Sequence, residues 1–194
     1  MSYETTLEKW KSPQDVDWNI IRDALGQYLR EVISTFSRQN PEAAVYGIVI
    51  VRGQNWELSV YLNTEEGYAS MPDRFRSQSR NGPAKTDEEI LGDLGRWYYD
   101  AWEFDLYEFK CLPEVNSVNN LHYDLFNRLS EDDSVDTDDL SNSFLSACAG
   151  AVALLERSQE LHTLRKTDDY EMRFFDANCH EWDTESLMAT ARGN

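Results

Sequence analysis

The sequence predicts a single α+β domain, a small and mostly antiparallel sheet with a central hairpin covered by several helices. Three observations predict it. Ala44 to Val51 is a short β-branched run, and Trp56, Leu58, Val60 and Leu62 then alternate with polar or amphipathic residues. Long segments elsewhere carry apolar residues at helical spacing. A chain of 194 residues with 41% hydrophobic and 12% aromatic content suffices for one core. One domain is therefore expected over residues 1–194, with residues 1–11 as a flexible N-terminus. No internal repeat, low-complexity tract or linker interrupts it.

Each element has a local cause. Ser12-Pro13-Gln14-Asp15 has a capping serine, a proline at the first helical position and an acid three residues after the cap. It is expected to open a helix in which Ile21, Leu25, Tyr28, Val32 and Phe36 share a face, with Asn40-Pro41 as the stop. Trp18 reads as core. The run Ala44–Val51 is expected to be the central strand, and Arg52-Gly53-Gln54-Asn55 a turn into the alternating strand. Thr64-Glu65-Glu66-Gly67 caps one following helix that carries Arg74, Arg76 and Arg80, and Asn81-Gly82-Pro83 is a break. Thr86-Asp87-Glu88-Glu89 is a second capping box, leading a short helix through Leu94. A dense aromatic stretch from Trp97 to Phe109 follows. Val118, Leu121, Leu125 and Leu129 mark a helix from about 115 to 129. Thr137 or Asp138 is expected to cap a helix through Phe144, Cys148, Val152 and Leu155. A last strand near Tyr170–Phe175 and a terminal helix over 181–191 complete the reading.

The chain has 36 acidic and 18 basic residues and a net charge of -18. Such a balance repels nucleic acid phosphates and anionic lipid and favours a basic partner. The charge is uneven. Residues 1–97 hold 15 acids and 11 bases, whereas residues 98–194 hold 21 acids and 7 bases. Residues 98–139 alone contain 12 acids and 2 bases, with aromatics at their start. Acids that steer an encounter and aromatics that anchor it suit capture of a basic protein. The competing account makes the aromatics core and the acids a solvated face. On the first account the contributors are Asp100, Glu103, Asp105, Glu108, Glu131, Asp132, Asp133 and Asp136.

Chemistry-bearing motifs are sparse. No Gly-x-Ser-x-Gly, phosphate-cradling glycine loop or dinucleotide fingerprint occurs, and no cofactor is implied. Cys148 reads as a small core residue and His122 as half-buried packing. Cys179-His180-Glu181 places three possible ligands in a row without a second pair at zinc-like spacing. The acidic run 132–139 lacks the glycine and closing glutamate of a calcium loop. A small enzyme using carboxylates or His122 therefore stands as a lesser alternative, beside a general interaction or regulatory module. The three cysteines are widely spaced, and the N-terminus has no basic region followed by an apolar core. No apolar run is long enough to span a bilayer. A cytoplasmic location is expected.

Two blocks carry a family likeness. Val45-Tyr46-Gly47-Ile48-Val49-Ile50-Val51, followed by Leu62-Asn63-Thr64-Glu65-Glu66-Gly67-Tyr68, resembles the start of the domain of unknown function 4303 family. Leu94-Gly95-Arg96-Trp97-Tyr98-Tyr99-Asp100-Ala101-Trp102-Glu103-Phe104 resembles that family's Arg-Trp-x-x-x-x-Trp block. The likeness covers about residues 12–109. It implies an α+β bacterial protein of this size with Gly67 in a left-handed turn. It also implies a small cytoplasmic partner to a secreted toxin. Joined to the acidic second half and the absence of catalytic motifs, it gives the expectation of a non-enzymatic immunity-type protein that binds and neutralises a cognate toxin domain with a basic surface, a nuclease being one candidate.

Overall fold

The computed structural model describes residues 2–53, 55–78, 85–99, 102–105, 115–131 and 134–176. The expected terminal helix at 181–191 and the Cys179-His180-Glu181 run lie outside the described residues.

Within residues 2–11, where a flexible N-terminus is expected, the chain packs two side chains into the core. Helix α1 (Tyr3–Leu7) is capped by Ser2 and buries Leu7, and Trp10 behind it is also buried. Ser12-Pro13-Gln14-Asp15 does form a capping box, but it closes only a 3-10 turn over Pro13–Asp15. Helix α2 (Trp18–Gln39) starts later, where the Asp17 side chain accepts from the Asn19 amide. The correction has a plain cause: Val16 is 8% exposed, so the chain dips into the core between the two starts.

Strands β1 (Val45–Arg52) and β2 (Leu58–Thr64) form the expected antiparallel hairpin, with Ile48 opposite Leu62 and Ile50 opposite Val60. Trp56, expected in the alternation, lies before β2 at φ +63°, a left-handed value that is uncommon for a bulky residue. The ring is fully buried, stacked on Phe144 at 5.1 Å and met edge-on by Trp18 at 5.3 Å. Its burial in the core compensates the backbone strain.

Helices α3 (Glu65–Ala69) and α4 (Met71–Gln78) replace the single helix expected after Thr64. Pro72 has no amide hydrogen to continue the first ladder, so the chain restarts at Ser70. Helix α5 (Asp87–Leu94) carries the predicted Thr86–Glu89 capping box. A two-residue strand, β3 (Phe104–Asp105), pairs with Tyr61 and Leu62 of β2. Then come α6 (Val115–Ser130), α7 (Thr137–Glu156), α8 (Gln159–Thr163) and β4 (Lys166–Asp176). The cap of α7 is Asp136, whose carboxylate accepts from the amides of Asp138 and Asp139, rather than Thr137 or Asp138.

The sheet order is β3-β2-β1-β4, and β1 is central as expected. It is a mixed sheet, because β4 runs parallel to β1 with Ile48 opposite Met172 and Ile50 opposite Phe174. The reason is topological. The chain returns to the sheet through α7 and α8, which pack beside α2, so β4 is fed from the same helical layer as β1. Both faces of β1 are covered, which explains its unbroken apolar run. Ile48, Ile50, Leu58, Val60, Leu62 and Phe174 face the core built with α2, α6 and α7. Tyr46, Val49, Val51 and Phe175 face a second cluster with Met71, Tyr99 and Trp102.

Candidate functional site

The two sequence blocks that carry the family likeness meet on this second face. Asn63, at the end of β2, is fully buried, and its Nδ2 donates to the Tyr46 hydroxyl at 2.9 Å. That hydroxyl donates in turn to the Arg96 carbonyl at 2.9 Å, which also accepts from Trp102 Nε1 at 3.1 Å. The Arg96 guanidinium lies 3.8 Å over the Tyr46 ring and pairs with Glu65 at 2.5 Å and Asp169 at 3.1 Å. Arg173 stacks on Trp97 at 3.9 Å. Burial raises the Tyr46 phenol to about 12, so it stays a protonated donor at neutral pH. Hydrogen bonds, ion pairs and stacked cations thus fasten the segment after α5 onto the sheet.

Gly67 sits at the centre of this fastening, for a reason other than the left-handed turn the likeness implies. It lies inside α3, and Gly95 is the one glycine with positive φ among the described residues. A Cβ on Gly67 would overlap Asn63 Oδ1 and stand 2.7 Å from Glu103 Oε2. Asn63 Oδ1 has no N–H or O–H donor among the described residues and faces the Gly67 Cα–H instead. The motif needs glycine for close approach.

The predicted acidic positions separate. Glu103 faces Arg74, which lies 3.9 Å away and is anchored on Gly67 O and Ser70 Oγ. Asp105 lies in β3 opposite Tyr61. Asp100, Glu108, Asp132 and Asp133 lie outside the described residues. Glu131 and Asp136 flank the turn between α6 and α7, in the layer that covers the opposite face of the sheet from Glu103. There they join Asp138 and Asp139. All four carboxylates are exposed, and none has a cationic partner among the described residues. Two of them, Asp136 and Asp139, line a hollow of about 400 Å³ together with Ser12, Gln14, Trp18 and Leu140. Trp18, predicted as core, is only half-buried and forms part of this wall.

The remaining titratable candidates are interior. His122, expected half-buried, has no exposed surface and shares a 2.5 Å hydrogen bond between Nε2 and the Tyr3 hydroxyl. Burial lowers its pKa to about 3, so the ring is neutral. Sequence spacing pointed to Leu121 as the buried neighbour, but the inward face of α6 is Asn119, His122, Leu125 and Leu129. Asn119 is there because its amide pairs with both backbone groups of Leu58. Cys148 is buried in α7, and burial pushes its thiol pKa up. Among the described residues no three His, Cys, Asp or Glu side chains gather as a metal site, and no helix is long and apolar enough to cross a membrane.

Comparison with family models, with curated proteins and with solved structures finds no match to this chain.

Proposed function

We propose that this chain acts by binding, as an immunity-type protein that neutralises a basic toxin domain in the cytoplasm of the producing cell. The observation that carries the binding role is the set Glu131, Asp136, Asp138 and Asp139 at the α6–α7 turn, four exposed carboxylates without an ion-pair partner among the described residues, of which Asp136 and Asp139 line a hollow walled by Trp18. Like charges held together repel one another, and a cationic partner relieves that repulsion and is steered toward it. Glu103 supports the contrast, since its charge is already answered by Arg74. The toxin-directed form of the role rests on the likeness of residues 45–51, 62–68 and 94–104 to the domain of unknown function 4303 family.

The test uses amide variants, because Asp136→Asn keeps a capping oxygen while removing charge. Full-length protein carrying E131Q, D136N, D138N and D139N is co-expressed with the candidate toxin domain encoded beside it, and its affinity is measured at two salt concentrations. The association rate is expected to fall about tenfold at low salt, with its salt dependence flattened and protection reduced. Unchanged association and unchanged protection would overturn the acidic-surface reading.

A further inference from the structure

We draw no further inference here: the strongest candidate, the hollow of about 500 Å³ beside α1 between α2 and α6, carries none, because its two carboxylates are already engaged, Asp23 by Arg22 at 2.7 Å and Glu31 by Gln27 at 2.8 Å, and nothing in the structure shows what covers it.

Discussion

Two glycines with opposite surroundings show how context reverses one substitution. Gly92 lies inside α5 with nothing within 4 Å of where a Cβ would stand. Gly92→Ala is therefore expected to stabilise the protein by about 0.5–1 kcal/mol, through helix propensity and a less flexible unfolded chain. Gly67 is also helical, but its Cβ would overlap Asn63 Oδ1 and press on Glu103. Gly67→Ala is expected to destabilise by about 1–3 kcal/mol, because overpacking outweighs the propensity gain. Urea midpoints of the two variants check both signs. The sequence shows both residues simply as glycines near caps. The difference depends on Glu103, which stands 36 positions from Gly67, and no local pattern encodes that distance.

At the level of elements, α1 is the clearest addition to what periodicity could reveal. Five residues are too few to stand alone as a helix. It persists because Leu7 is buried, Arg128 Nη2 donates to the Leu7 carbonyl at 2.6 Å, and the Tyr3 hydroxyl meets His122 of α6. This contact has a pH signature. The folded-state pKa of His122, about 3, lies below its ordinary 6.5. The unfolded chain therefore takes up a proton that the native state refuses. Stability is fully present above pH 6.5 and is lost as pH falls toward 3, by about 2 kcal/mol at pH 5. The double variant Y3F/H122F removes this term, so its stability relative to the parent should rise by that amount between pH 7 and pH 5. Chemical denaturation at the two pH values measures it, and parallel profiles would refute the assignment. Longer elements needed less help. The stripe of α2, the β1 run, the Thr86 capping box and the apolar face of α7 were all legible, since each is set by residues within a turn or two of one another.

For the whole molecule, the net charge of -18 sets the expected response to salt. Exposed carboxylates around the α6–α7 turn repel one another and have no ion-pair partner among the described residues. Raising sodium chloride from 20 to 300 mM shortens the screening length, so the melting temperature should rise by a few degrees. The amide variants at Glu131, Asp136, Asp138 and Asp139 should show a smaller rise, and an equal rise in both would place the repulsion elsewhere. Composition and periodicity by themselves determined the α+β class, the central hairpin, the long helices and the acidic second half, because these follow from local spacing and from simple counts. Tertiary structure alone decided that β4 joins parallel, that Glu103 is answered by Arg74, and that Glu131 and Asp136 stand apart from it. It also decided that Trp18 walls a hollow beside Asp136 and Asp139. Each of these depends on which distant segments share a face, and that is settled by packing rather than by any residue's own neighbours.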